Sequence, residues 1–348
     1  MSFNLNSLVR NNIRNLKPYT SARDEYKGKE GVFLDANENA FGSVTSELHN
    51  RYPDPLQWEV KYGLEKIKGV SVQNIFLGNG SDEPIDLLYR CFCNPGIDNV
   101  IITPPTYGMY EVSANINDVA VQKVNLTNDY QLNVNEIIEA INSKTKLIFL
   151  CSPNNPTGNC LDNNDITKII EAFQGIVVVD EAYIDFAPDN SLLPVLNKYA
   201  NLVVLQTFSK AWGMANLRLG MAFASQEIIQ LFNKVKPPYN INGLTQKIVL
   251  DALKNVSKKD AFVDDILKSK NQLIKELQKI NIVQKIYPSD ANFILVKTKD
   301  GKKIYDYLVE NKVIVRDRSN VSLCEGCLRI TVGTPDENQI LINYLMKY

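Results

Sequence analysis

Three stretches of the chain set chemically competent side chains directly after β-branched runs. They are Ser152-Pro-Asn154-Asn155-Pro-Thr-Gly158 after KLIFLC, Asp180-Glu-Ala-Tyr183 after GIVVV, and Thr207-Phe-Ser209-Lys210 after NLVVLQ. A lysine amine can bond covalently to a carbonyl carbon, and a carboxylate can hold the proton on a neighbouring nitrogen base. Taken singly, each stretch also has an ordinary explanation: Asn, Pro and Gly form turns, and an acid after a strand often caps a helix. A fourth stretch, Gly78-Asn-Gly80-Ser81-Asp82-Glu83, is a glycine turn between the strand-like IFL and the helical DEPIDLLYRCFC. There the backbone N–H groups of Ser81 and Asp82 would face an anion at a helix N-terminus. Acids in a first helical turn suit the helix dipole, provided that they point away from that anion.

Those residues need strand ends to hold them. From about residue 75 to 225, the runs IFLG, NVIIT, VAVQKV, KLIFLC, GIVVVD, NLVVLQ and LGMAFA alternate with amphipathic segments, the pattern of a mostly parallel sheet covered by helices. Ligands in such sheets sit where strands end and helices begin, and all four stretches fall at those junctions. After Lys236-Pro237-Pro238 a long helical stretch runs to about residue 280, followed by IVQKIY, ANFILVK, VIVRD and CLRITV with a helix among them. This predicts an α/β protein with a large domain over 31–236 and a smaller α+β domain over 237–348. Residues 1–30, interrupted by Pro18 and Gly28, read as an arm that packs on something larger.

Composition narrows the function. A chain of 348 residues, 45% hydrophobic, can bury a sizeable core, and 38 Lys and Arg against 39 Asp and Glu leave no basic field for nucleic acid or an anionic membrane. The first residues carry no apolar h-region, and no run of about 18 apolar residues occurs, so a cytoplasmic protein acting on small molecules is expected. The six cysteines read as reduced thiols. Cys324-Glu-Gly-Cys327 has metal-like spacing, but a zinc site needs two further ligands and the only histidine, His49, is far off in sequence; no metal is expected.

The order of the motifs resembles that of fold-type-I pyridoxal-phosphate enzymes: Asn-Pro-x-Gly, then Asp-x-x-Tyr, then Ser-Lys, then an arginine eight residues on. Here these are Asn155, Asp180, Tyr183, Lys210 and Arg218. The resemblance implies that Lys210 holds the cofactor and later carries a proton. It implies that Asp180 keeps the pyridine nitrogen protonated, and that Asn155 (or, less well placed, Asn154) and Tyr183 hydrogen-bond the phenolic oxygen. Ser81, Asp82, Ser209 and Arg218 would hold the cofactor's phosphate, with Tyr107 over its ring. The family usually has a small residue where this chain has Asn216; Asn tolerates left-handed backbone angles, so the turn before Arg218 is expected to survive.

Leu16-Lys-Pro-Tyr19, Asp35-Ala-Asn37-Glu38-Asn39, Arg51-Tyr52-Pro-Asp-Pro55, Arg316-Asp317 and Cys327-Leu-Arg329-Ile-Thr-Val-Gly333 resemble the histidinol-phosphate aminotransferases in particular. That family implies a homodimer in which Tyr52 reaches the cofactor phosphate of the other subunit. It also implies that Tyr19, Arg316 and Arg329 hold the anionic group of L-histidinol phosphate or of 2-oxoglutarate and glutamate. An arginine fork pairs with phosphate or carboxylate, so one pocket can serve both. Threonine-phosphate decarboxylase, aromatic aminotransferase and C–S lyase chemistry would use the same cofactor site. A non-catalytic cofactor-binding regulator would need a DNA-binding module, for which residues 1–30 are too short and not basic enough.

Overall fold

The computed structural model describes residues 3–20 and 30–348, so the expected arm is seen in part and Gly28 lies outside the described residues. Its short helices α1 (Leu5–Leu8) and α2 (Asn11–Arg14) bring Val9 and Ile13 into the core. The Arg10 N–H donates to the Cys91 carbonyl at 3.0 Å.

Seven strands form the large sheet: β1 (Ile75–Asn79), β2 (Asn99–Ile102), β3 (Ala120–Lys123), β4 (Thr145–Cys151), β5 (Ile176–Asp180), β6 (Leu202–Thr207) and β7 (Leu219–Phe223). Each of the seven runs read from the sequence supplies one. Their order is β1-β7-β6-β5-β4-β2-β3. Pairing is parallel from β3 through β6, and β7 is antiparallel to both neighbours. Apart from the edge strand β3, the apolar runs are continuous because both faces are covered. Successive residues of β4 and β5 enter alternate cores: Leu147, Phe149, Ile176 and Val178 one, Ile148, Leu150, Val177 and Val179 the other. This is the two-residue period of a strand. Truncating a fully buried side chain such as Phe149 to Ala would cost about 3–5 kcal/mol.

The covering helices are α3 (Trp58–Lys68), α4 (Asp82–Phe92), α5 (Met109–Ile116), α6 (Val134–Ala140), α7 (Asn163–Ala172), α8 (Gln226–Val235) and α9 (Gly243–Ala252). The long α10 (Val256–Leu277) leads to a second, wholly antiparallel sheet in the order β10-β11-β9-β8. Its strands are β8 (Val283–Ile286), β9 (Phe293–Thr298), β10 (Arg316–Asp317) and β11 (Cys327–Thr331), with α11 (Gly301–Glu310) and α12 (Pro335–Lys347) packed on them. Of VIVRD only Arg316–Asp317 pairs. Lys312 is left-handed (φ 60°) and the Val313 N–H still donates to Leu308 of α11, so the chain reaches the sheet late.

The two parts meet behind Asn155. Gly158 has φ +88°, and a Cβ there would lie 2.5 Å from Ser289 Oγ. The Cys160 N–H donates to Asp290 Oδ2 and the Asp290 N–H to the Gly158 carbonyl, each at 2.7 Å. The glycine thus permits a close approach that sets the Asn155 loop against the second sheet.

Candidate active site

One cavity of about 610 Å³ collects Ser81, Asp82, Tyr107, Asn155, Asp180, Tyr183, Ser209, Lys210, Arg218, Arg316 and Arg329. Of the residues read from the sequence, Tyr19, Tyr52 and the alternative Asn154 are elsewhere. The cavity lies at the C-terminal ends of β1, β2, β4, β5 and β6, and β7, running the opposite way, brings Arg218 to the same edge at its start.

Asp180 ends β5 on the same face as Phe149, and burial there pushes its carboxyl up to about 6, opposed by a hydrogen bond from Tyr110. Tyr110 Oη donates to Asp180 Oδ2 at 2.7 Å and the Ala182 N–H to Oδ1 at 3.1 Å. Tyr110 is itself fully buried and stacked on Phe149, ring centroids 4.8 Å apart. Nothing in the sequence marked it, because the contact joins α5 to a strand seventy positions away. The next residue, Glu181, turns to the opposite side. There Gln206 Nε2, Ser191 Oγ and the Leu192 N–H donate to it, and burial lifts its carboxyl to about 7.

Lys210 opens into the cavity, with its ammonium 5.3 Å from the centre of the Tyr183 ring. Desolvation by the walls lowers its proton affinity, Arg329 adds to that effect, and Asp180 acts against it. Burial likewise raises the Tyr183 phenol, against the pull of Arg329. Arg329 Nη1 donates to Asn155 Oδ1. Because an arginine only donates, the Asn155 amide is oriented with Nδ2 left to donate elsewhere. Asn154 is a buttress instead: buried, it donates to the Pro105 carbonyl at 2.8 Å and to Thr157 Oγ1 at 2.7 Å.

At the other end, α4 begins after Ser81, whose side chain makes no cap, and Arg218 fills the space above Gly80. A Cβ on Gly80 would stand 2.5 Å from Arg218 Nη2. Arg218 Nη1 lies 3.4 Å from Ser209 Oγ, which also accepts from Thr207 Oγ1 at 3.0 Å.

Two expectations need correction here. The left-handed residue of the turn is Arg218 itself (φ 52°, ψ 45°), while Asn216 sits in a 3₁₀ turn. The backbone must double back at Arg218 to start β7, and Gly80 leaves room for its side chain. Nor do both acids of the first turn of α4 point away. Glu83 does, accepting from the Asn79 N–H at 2.6 Å and from Asn240. Asp82 faces the cavity, 3.5 Å from Arg218 Nη2, and accepts from Tyr107 Oη at 3.1 Å. The arginine and the phenol supply the partners that draw it inward.

Arg316 and Arg329 face each other across β10 and β11, and Arg329 lies over the Phe293 ring at 5.2 Å. Arg318 also lines the cavity; its place two residues beyond Arg316 was the signal that could have found it. Tyr52 is half exposed and stacked on Tyr239 at 4.4 Å, and Tyr19 is exposed beside Pro55 and Lys236. Cys324 and Cys327 are buried free thiols, and among the described residues no group of three or more His, Cys, Asp or Glu could hold a metal.

These groups fit pyridoxal phosphate. One pole offers a glycine turn, a helix start, a hydroxyl and a guanidinium to an anion, beside the Asp82 carboxylate, whose oxygens face Arg218 and Tyr107. The other offers a buried carboxylate that gains from a cationic ring nitrogen, and the lysine stands within the same cavity. Comparison with known proteins agrees. Residues 34–345 match the family described as aminotransferase class I and II, and the chain belongs to that family. Within it, the chain is 61% identical to the histidinol-phosphate aminotransferase of Cytophaga hutchinsonii over 100% of both chains. It is 53% identical to that of Parabacteroides distasonis over 97% of each. Among solved structures, the histidinol-phosphate aminotransferase from Sinorhizobium meliloti in complex with pyridoxal-5'-phosphate shares the fold. The TM-score is 0.80 and the identity 22%, over 90% of this chain and 89% of that one. The expected fold-type-I architecture and the pyridoxal-phosphate-dependent aminotransferase class are borne out.

Proposed function

We propose that the chain transfers an amino group reversibly between L-histidinol phosphate and 2-oxoglutarate, giving imidazole-acetol phosphate and L-glutamate, as a step of L-histidine biosynthesis. The observation that carries this reading is the polarity of the single cavity, with an anion pole at Gly80–Asp82, Lys210, the buried Asp180, and an arginine wall on the second sheet.

Pyridoxal phosphate, when bound, supplies a carbonyl carbon and a protonated ring that accepts the electron pair freed at the substrate carbon. Lys210 is the attachment point. Its free amine, with proton affinity lowered by burial and by Arg329, is the base that takes the proton from the substrate's amine-bearing carbon. Asp180 holds the proton on the ring nitrogen, and Tyr110 fixes the carboxylate that does so. Asn155 Nδ2 and the Tyr183 hydroxyl would donate to the phenolic oxygen. Tyr107, tethered to Asp82, would lie against the bound ring and exclude water there. Ser81, Asp82, Ser209 and Arg218 hold the phosphate, the first two through backbone N–H groups. Arg316 and Arg329 grip the substrate anion.

We further assign the active unit to a homodimer. Val32, Leu34, Phe41, Val44 and Leu48 are strongly exposed on a stretch that forms no helix or strand, an apolar surface of the kind that a partner covers. Tyr52, whose N–H donates to Glu38 of that stretch, and Tyr19 lie outside the chain's own cavity, which supports their service in the other subunit's site. Mixing inactive Tyr52→Ala and Lys210→Ala subunits should restore part of the activity, because one of the two sites of each mixed dimer then lacks neither residue. No helix among the described residues is long and apolar enough to cross a membrane; the free cysteines support a reducing cytoplasm.

The test of the reaction follows glutamate formed from 2-oxoglutarate by the purified holoenzyme with L-histidinol phosphate, with L-phenylalanine and L-threonine phosphate in parallel. Strong preference for L-histidinol phosphate is expected. Release of carbon dioxide from L-threonine phosphate would keep the cofactor site and overturn the reaction.

A further inference from the structure

We infer that Arg318 is a specificity-determining residue, a third guanidinium that favours a phosphate over a carboxylate at the substrate end of the cavity. The inference rests on the amino-transfer reading above for its substrates, though not for its geometry.

The register of the second sheet puts the three arginines on one wall. Arg316 pairs with Arg329, Asp317 with Leu328, and the Arg318 N–H continues the ladder to the Cys327 carbonyl at 2.9 Å. Side chains two apart on a strand share a face, so Arg318 faces as Arg316 does, and all three line the cavity. The neighbouring Asp317 carboxylate forms no ion pair with them: its Oδ1 accepts from the Ser319 N–H at 2.8 Å, and its charge offsets only part of the repulsion that Arg318 feels from Arg329 and Arg316. Arg318 reaches only the Asp317 carbonyl, at 3.2 Å. Arg329 gives Nη1 to Asn155, and its Nε is buried without a partner. Among the described residues none of the three forms an ion pair. Burial weakens the hold of Arg318 on its proton, and so do Arg329 and Arg316.

Three cations gathered on one wall repel one another until an anion arrives. A carboxylate brings one charge and two oxygens, which the Arg316 and Arg329 forks can satisfy. A phosphate monoester brings about −1.5 to −2 charges and three acceptor oxygens near neutral pH, and it leaves an oxygen and a charge for a further fork. Arg318 stands where that fork is needed. It should therefore matter to the phosphate-bearing amino donor and little to 2-oxoglutarate, although both pass through one cavity.

The experiment measures both substrates in the Arg318→Gln holoenzyme, and adds inorganic phosphate and the dicarboxylate maleate as competing inhibitors. The KM for L-histidinol phosphate and the Ki of inorganic phosphate should both rise about tenfold or more, while the KM for 2-oxoglutarate and the Ki of maleate stay within about threefold. Arg318→Lys, which keeps the charge and loses the fork, should fall between, and it carries the test should the glutamine variant fold poorly. Equal changes for phosphate and carboxylate ligands, or an unchanged Ki for phosphate, would overturn the inference. A wild-type enzyme that ignores L-histidinol phosphate yet shows Arg318-dependent inhibition by phosphate would retire the proposed substrate and uphold the role of Arg318.

Discussion

The two walls of the cavity are built differently. On the large sheet, Asp180 ends one fully buried strand and Lys210 follows another, and Asp180 is held by Tyr110, Tyr110 by Phe149, and the Asn155 loop by Asn154 and Gly158. On the second sheet, Arg316 sits on a two-residue edge strand and is exposed, and Arg318 and Arg329 are only partly buried. One wall is braced by buried side chains packed on one another; the other presents cations on long, partly exposed side chains. That contrast suits a transaminase, whose bond-making must be identical in two half-reactions while the anion gripped changes from phosphate to carboxylate. Preorganisation serves the first task and adaptable charge the second.

Mutation can break this contrast, and the effects should grade with it. The largest loss is expected at Lys210→Ala, where attachment and proton transfer vanish together; turnover in a coupled assay should be undetectable, and near-normal turnover would remove Lys210 from its role. Asp180→Asn should lower kcat by about 10²–10³-fold, the scale of losing one preorganised charge, with KM for 2-oxoglutarate little changed. Tyr110→Phe should cost about tenfold in kcat. It removes a donor that stabilises the carboxylate, so the acid limb of the kcat profile should move to higher pH; an unmoved limb would reduce Tyr110 to packing.

The smallest effect concerns stability without cofactor. The Asp180 carboxyl is raised from 3.8 to about 6 in the fold, so the unfolded chain ionises first. Its burden is absent below about pH 4, grows as pH rises toward 6, and is constant above that. Cofactor-free Asp180→Asn should melt higher than wild type at pH 8, by an amount of order 2 kcal/mol, and the gain should shrink by pH 5. A gain independent of pH would contradict the assignment of the buried charge.

Much of the rigid wall was legible in the sequence. Strands buried on both faces appear as unbroken β-branched runs, and polar residues at their ends fall at the sheet's ligand edge. What stayed hidden depends on contacts between distant segments. Tyr110 faces Asp180 only because α5 covers the face that strand alternation gives to Asp180. The inward turn of Asp82 follows from Arg218 and Tyr107, neither of them local to it. Asn216 drew attention as a tolerant residue, yet the space over Gly80 and the reversal into β7 put the left-handed angle on Arg218. Arg318 was within reach of the two-residue period, but a β10 this short gave no run in which to see alternation.

The most direct test of the division between the walls is a single-turnover measurement of both half-reactions in Arg329→Ala. The division between the walls predicts weaker binding of L-histidinol phosphate and of 2-oxoglutarate alike, about tenfold or more, with a smaller fall in the maximal rate of each half-reaction, because Arg329 also orients Asn155 and lowers the proton affinity of Lys210. Unchanged affinities with a collapsed maximal rate would place Arg329 in the chemistry and contradict it.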